Sequence, residues 1–593
     1  MPSRPISRPA DRDMQARIQQ QKDRIDKLEA DLWQDGLDAS VLADYQAAFR
    51  DLEDLYSAQD RDQDLRHHFV VVIPVADSPR HLGTCLDSLL TLCRSYGYGG
   101  LYQGRYRKVS VLLADDSADP ALVECNREIA REFDRSGITT HYFGIAEQLV
   151  LMRRLGAVDL DAVVGSHPEN AFAHKGQAMM RNIAYLKLAE MQSRMPDQRL
   201  LFYTVDSDQE FRVKVATPQG GCSLYAVNFL YYLDQIFSDT DARVLTGKVV
   251  GDPPVSPAVM AGNFLEDVIG FVSEMSACDP ELPYRQPGAD TRGSGEAAYH
   301  DLADMFGFQS VEEAYRYRCS IEGTPGNGVC FDDFSRRLGS FFHGEHPTRI
   351  TWYRYQAVAD SLQSARTVYT GNYVFGANAL DWFVPFAPLR LRMSGPTMGR
   401  LLKSEINDRF VSANVPMLHR RTLETTGESE FRPGVVSESQ AVDLCDEFER
   451  QFFGDVMLFS IERLTALGFP GTQLSDSVVA ETLDAVHLEM REKYRTRRRN
   501  TLDRLEVLRS LLYRDGQWWN RSGDHGPALS RFEAFIRNIE RNFGEQSPGN
   551  ARIDSMANWA GWRLRQLRAI KRLPDDRCAW REALDILRVP CKE

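Results

Sequence analysis

Three runs of apolar, largely β-branched residues punctuate the first third of the chain: HFVVVIPV (68–75), VSVLLADDS (109–117) and LLFYTVDSD (200–208). A strand with one wet face alternates apolar and polar positions, whereas these runs are nearly continuous, so each predicts a strand covered on both faces. Helical spacing occupies the intervals around 80–95, 120–135 and 176–192. Strands alternating with helices predict an α/β fold, a mostly parallel sheet with helices on both faces. Upstream, residues 12–60 are polar and helix-prone, with Ile18, Ile25, Leu28 and Leu32 on a seam of two heptads, suited to packing on the body or to contact between copies. Residues 280–350, rich in Gly, Pro and charge, read as a long insertion or mobile region. Order returns at 366–402, strand-like and then helical, and at VPMLHRR (415–421). Beyond about 436 the pattern is helical to the end, with Trp518, Trp519, Trp559, Trp562 and Trp580 as anchors between helices. The expected organisation is an N-terminal helical segment (1–66), an α/β domain (67–435) interrupted near 280–350, and an all-helical C-terminal domain (436–593).

Length agrees with more than one core, since 593 residues exceed what one ordinary domain holds. No stretch approaches the roughly 18 apolar residues of a membrane helix, and the N-terminus lacks the apolar centre of a secretory signal, so an integral membrane segment is not expected and the expected location is cytoplasmic. Ten cysteines without a C-x-x-C pair argue against a zinc ribbon or a disulfide framework. The net charge of −13 conceals a basic end, 23 Lys and Arg against 14 Asp and Glu in residues 491–593. Acids interleave with those bases throughout, which favours a solvated helical face or a subunit contact over nucleic acid.

Candidate chemistry gathers where the strands end. In parallel sheets ligands sit beyond the carboxyl ends of the strands, and here polar residues follow all three runs: Asp77, then Asp115 and Asp116, then Asp206 and Asp208. In an extended segment residues i and i+2 share a side, so Asp206 and Asp208 can face one site and suit a divalent cation such as Mn²⁺ or Mg²⁺, a ribose or both, beside the plainer reading of a turn or helix cap. Lys175-Gly176 opens a helix whose free N–H groups favour an anion. His419 follows an apolar run late in the chain and is a candidate third ligand. FHGEHP (342–347) fits neither zinc-protease histidine spacing, and no phosphate-binding G-x-x-x-x-G-K-[ST] loop occurs.

Taken in order, VVVIPVADSPRHLGTCLDSLL, VLLADDS, HKGQAMMRNIA and FYTVDSDQEF resemble the nucleotide-sugar-binding half of a GT-A glycosyltransferase of the family 2-like type, over roughly 68–215 and more loosely 366–425. The resemblance implies a Rossmann-like GT-A fold and transfer of a hexosyl group from a UDP- or GDP-sugar to a hydroxyl acceptor. It places Pro74, Asp77 and Asp116 in the nucleoside pocket, Asp206 near ribose and metal, Asp208 on the metal, and His419 as the histidine that completes the metal site. The Lys-Gly-x-Ala helix start paired with D-S-D is similar to the retaining glucosyl- and mannosyl-glycerate synthases, which implies nucleotide contact by Lys175 and a small or anionic acceptor. Acceptor contacts are expected from 371–400, including Asn372, Arg392 and Thr397, with Arg390, Arg392 and Arg400 suited either to an anion clamp or to surface ion pairs. One departure matters: RMSGPTMGRLL carries no carboxylate where inverting members keep their general base. That favours retention, with the leaving diphosphate accepting the proton, or a base elsewhere such as Glu405. Alternatives are an inverting transferase acting on a glycan, lipid or protein; a sugar nucleotidylyltransferase, disfavoured because the first strand is followed by a single Gly; and a non-catalytic nucleotide-sugar-binding scaffold, with homo-oligomers through the N- or C-terminal helices.

Overall fold

The computed structural model describes residues 9–58, 64–217, 221–287, 317–348, 350–423, 430, 432–438, 441–521 and 525–589. The apolar runs form the centre of its main sheet. Strands β1 (His68–Val75), β2 (Val109–Asp115), β3 (Thr139–Phe143), β4 (Leu200–Val205), β5 (Val244–Gly251), β6 (Asn372–Gly376) and β7 (Phe410–His419) lie in the order β3-β2-β1-β4-β6-β5-β7. All run the same way except β6, which is antiparallel to both neighbours. Short segments Gln363–Ser364 and Gln209–Glu210 pair antiparallel with β7. The carboxyl ends of six long strands therefore share one edge of a mixed but mostly parallel sheet.

Continuous hydrophobicity reflects two covered faces. Val70 and Val72 of β1 and Leu200 and Phe202 of β4 join one core, while Phe69, Val71 and Ile73 with Leu201, Tyr203 and Val205 join the other. Neighbouring side chains of a strand point to opposite sides, so covering both sides requires apolar residues at every position.

Helices α1 (Pro9–Trp33) and α2 (Leu42–Ser57) cover the second face together with α3 (Pro79–Tyr96). The polar stretch 12–60 thus becomes two helices, with Gly36 at φ 100° in the turn between them. Ile18, Ile25 and Leu32 of the heptad seam are buried within the chain itself, and Glu29 accepts from Tyr232 Oη at 2.7 Å. Helices α4 (Pro120–Arg135) and α5 (Gln177–Arg194) occupy the expected intervals.

The first face is covered by α6 (Pro257–Ser276), α7 (Asn327–Arg337), α8 (Ser394–Ile406) and the C-terminal helices α9 (Cys445–Ala466), α10 (Asp476–Leu512), α11 (Gly526–Phe543) and α12 (Met556–Arg588). Helix α7 falls inside the expected insertion and is structural: Phe331 stacks on Trp519 with ring centres 5.0 Å apart. Residues 288–316 of that insertion lie outside the described residues. Two tryptophans anchor the C-terminal helices, Trp580 Nε1 donating to the Leu380 carbonyl at 2.7 Å and Trp518 Nε1 to that of Met275 at 2.8 Å. Many bases of the basic end pair with acids of this chain, among them Arg563 with Asp484, Lys571 with Asp476 and Arg504 with Glu266. Among the described residues no helix is long and apolar enough to cross a membrane.

Candidate functional site

From β1 the chain moves outward through β2 and β3, then returns to β4 on the other side of β1, so β1 and β4 bound the point where the strand order reverses. Such a point leaves a crevice at the carboxyl edge. A cleft of about 830 Å³ opens there, and Pro74, Asp116, Asp206 and Asp208 all line it. Its opposite wall comes from residues 390–396, the stretch around Arg421 and Arg432, and Arg450 and Arg565 of α9 and α12.

On the β1 side Asp77 and His174 are bonded, Asp77 Oδ2 to His174 Nε2 at 2.6 Å. Asp77 Oδ1 also accepts from the Ala118 N–H at 3.0 Å, which ties the ends of β1 and β2 together. Asp77 and His174 both adopt left-handed backbone, φ 47° and 50°, as do Arg390 and Met393 across the cleft. Non-glycine residues held there carry strain, which tends to collect at working sites. Gly176, at φ 103°, begins α5, and Arg390 lies over it, its Cγ 3.8 Å from the position a Cβ would take.

Lys175 departs from expectation. It is fully buried, pairs with Asp116 and donates to the Phe172 carbonyl at 2.7 Å, so it supports Asp116 from beneath and does not line the cleft. A buried ammonium needs a counter-ion, and the acid at the end of β2 is the one in reach. Burial pushes Lys175 down and Asp116 up, each against the pull of the other.

The acid pair after β4 divides. Residues 206–209 make a turn, the Gln209 N–H donating to the Asp206 carbonyl at 3.1 Å, so the shared side expected of an extended segment is lost. Asp206 Oδ1 faces α5, accepting from Arg181 Nη2 and from Gln177 Nε2 at 2.8 Å. Asp208 Oδ2 faces β7, accepting from Arg421 Nη1 at 2.7 Å with His419 Nε2 at 3.4 Å. His419 Nδ1 is 2.5 Å from the Asp252 carbonyl; a carbonyl only accepts, so Nδ1 carries the hydrogen and Nε2 is the atom turned to Asp208. Burial works to raise Asp208, but the charges of His419 and Arg421 outweigh it and hold the carboxylate far below its usual range. Asp206 moves the other way: burial raises it, Arg181 opposes this, and the Asp208 charge adds to the rise.

A three-ligand metal set of Asp206, Asp208 and His419 is therefore not assembled, because Asp206 is committed to Arg181. Among the described residues no group of three or more His, Cys, Asp and Glu side chains is arranged to hold a metal ion. What does meet is the two-ligand pair of Asp208 and His419.

Three further expectations are corrected by placement. Asn372 lies within the sheet, accepting from Tyr203 Oη and donating to the carbonyls of Lys248 and Val415, so its amide is occupied as a strand tie and does not line the cleft. Thr397 is buried, with Oγ1 donating to the Met393 carbonyl one turn back. Glu405 sits at the far end of α8, accepting from Trp382 Nε1 at 2.7 Å and from Arg577, which removes it as a base in the cleft. Arg400 likewise turns away, to Glu462 and the Arg366 carbonyl. Arg390 and Arg392 do line the cleft.

The structure adds residues that the motifs did not single out: His174 beside Lys175, Arg181 one turn beyond Gln177, Arg421 two residues past His419, and Arg432, Glu447 and Arg450. The first three had a legible signal in their spacing from motif residues. The last three join the site through long-range packing alone. Compared with known proteins, the chain matches no family model and no curated protein sequence.

Proposed function

We propose that the chain is a GT-A type glycosyltransferase that moves a hexosyl group from a UDP- or GDP-sugar to a hydroxyl acceptor. One observation carries the reading: the end of β1 at Pro74 and the acids ending β2 and β4 line one crevice, and Asp208 there faces a histidine whose other nitrogen is fixed by a carbonyl. A ring nitrogen held in that way is the usual support of a metal-ligating imidazole. Asp208 and His419 would hold a divalent cation, Mn²⁺ or Mg²⁺, which when bound offsets the charge of the departing diphosphate. Two protein ligands suffice for a hard cation that takes its remaining oxygens from substrate and water. The chain's own residues do the rest. Asp116, supported by Lys175, and Asp77 with His174 orient the nucleoside. Asp206, locked by Arg181, stands at the ribose side. Arg421 is placed to turn from Asp208 to a phosphate oxygen. No carboxylate of 394–400 faces the cleft, which accords with a retaining reaction in which the diphosphate takes the acceptor's proton.

A second reading, a nucleotide-sugar-binding scaffold independent of metal, has its own support, since Arg421 already neutralises Asp208. Calorimetric titration of UDP, GDP and their sugars with and without Mn²⁺ separates the two, together with an assay of sugar transfer. The transferase reading expects metal-dependent binding that Asp208→Ala lowers at least tenfold. Undiminished metal-dependent binding in that variant would sink it, and binding indifferent to metal without turnover would favour the scaffold.

A further inference from the structure

Helix α9 places Arg450 on the wall of the cleft and the buried Glu447 one turn before it, and the charge around Glu447 does not balance. Arg432 Nη2 donates to Glu447 Oε1 at 3.2 Å. Burial works to raise the Glu447 carboxyl, but Arg432, Arg392, Arg421 and Arg450 together overcome it and hold it low. One carboxylate, paired with Arg432, thus lies in the field of four guanidinium groups, and the second acid in reach, Asp208, is taken by Arg421 and His419. Other acids on this wall are committed elsewhere: Glu449 to Trp562, Asn558 and Arg552, Asp446 to Arg552, and Glu430 to His81.

The excess is matched by unused hydrogen-bonding capacity. Arg432 Nη1, Arg421 Nε and Glu447 Oε2 are buried atoms without a hydrogen-bond partner, and the Arg432 side chain is only 9% exposed. Arg432 Nη1 and Arg421 Nε also both lie against the same side of Gly344, so the two cations are close neighbours. The guanidinium groups of Arg390 and Arg392 have no hydrogen bond or ion pair with any described residue, while the Arg450 Nε is spent on the Arg390 carbonyl at 2.5 Å. Arg565 extends the positive wall, stacked 3.7 Å over Trp562. Burial together with neighbouring arginines pulls Arg432 and Arg450 down to about 10. Crowding like charges in a low-dielectric cleft costs stability unless an anion offsets it.

We propose that Arg392, Arg432 and Arg450, with Arg421 at the Asp208 end, form a binding site for a phosphate-class oxyanion, with Glu447 as the counter-ion that keeps the guanidinium groups in place before the ligand arrives. Planar guanidinium forks suit tetrahedral oxyanions through paired N–H donors, and all four arginines line the cleft. The site makes the C-terminal helices part of the ligand cleft. It stands on charge and geometry alone and does not depend on sugar transfer.

Titration of the full chain with inorganic phosphate, without metal or nucleotide and at fixed ionic strength, tests it. Phosphate is expected to bind and to raise the melting temperature. Arg392→Gln is expected to weaken phosphate at least tenfold without lowering the ligand-free melting temperature, because that side chain has no hydrogen bond or ion pair with a described residue and its charge adds to the crowding. Arg450→Gln provides a second loss. No stabilisation beyond that of chloride at equal ionic strength, or wild-type affinity in both variants, overturns the proposal. Repeating the titration with saturating UDP and Mn²⁺ identifies the source. Displacement of phosphate assigns the oxyanion to the nucleotide's diphosphate, and simultaneous binding assigns it to a separate phosphate-bearing ligand. Failure of the transferase reading leaves the first titration unaffected, because neither metal nor nucleotide enters it.

Discussion

Arg181 decides what Asp206 can do. Its side chain is 2% exposed, and its Nη2 donates to both Asp206 and the Thr370 carbonyl, so the carboxylate is held against α5. Removing one partner of a buried pair strands the other charge, at a cost of about 3 kcal/mol or more. Arg181→Met is accordingly expected to lose roughly that much stability at neutral pH in urea denaturation, and to lose less in acid, where Asp206 becomes protonated. Asp208 behaves in the opposite sense. Its folded value lies below the unfolded value of about 4, so its stabilising contribution is complete above that pH and is lost only as the pH falls toward the folded value. The D-x-D motif was legible in the sequence, but its division was not. The division depends on a turn at 206–209 and on cations from residues 25 positions before Asp206 and 213 after Asp208.

At the scale of elements, helices α9 and α10 meet around a buried acid that the helical pattern does not reveal. Asp455 is fully buried, accepting from Gln451 Nε2 at 2.7 Å and from Tyr494 Oη at 2.6 Å. Burial raises it to about 6, the hydrogen bonds from Tyr494 and Gln451 offsetting only part of the rise. An acid with a raised folded value is protonated in the fold where the unfolded chain is already ionised. Its contribution is therefore present below about pH 4 and falls away as pH rises to about 6, by roughly 3 kcal/mol in all. Asp455→Asn keeps the shape and removes the titration. It is expected to flatten the stability profile between pH 4 and 6 without destabilising the protein at pH 7, as checked by denaturant melts across that range. A profile unchanged from wild type would show that Asp455 is ionised throughout.

At the scale of the whole molecule, one hydrophobic core runs from Val70 and Phe202 of the sheet to Trp580 and Leu587 of α12. A polypeptide ending at residue 435 would leave that face of the sheet open to water and strip Arg450 and Arg565 from the cleft. Large exposed apolar faces drive aggregation, so the 1–435 fragment is expected to yield no cooperatively folding monomer by size-exclusion chromatography and thermal melting, unlike the full chain. The compositional change near 436 marks where strands give way to helices. It does not mark where one core ends and another begins, because shared side-chain packing leaves no trace in a one-dimensional pattern.

What the amino-acid order determined by itself is local and periodic. Doubly covered strands require unbroken apolar runs, helices require their own spacing, and parallel strands put the residues that follow them at one edge, so Pro74, Asp116, Asp206 and Asp208 line one cleft with Asp77 beside it. Only the tertiary structure decided their partners. Lys175 went beneath Asp116 because a buried ammonium must be neutralised. Asn372 was spent on ties to β4, β5 and β7, and Glu405 on α12. Arginines from 392 to 450 were gathered around Glu447 by the packing of segments far apart in the chain. Charge partners are chosen by distance in space, and spacing along the chain does not encode that distance.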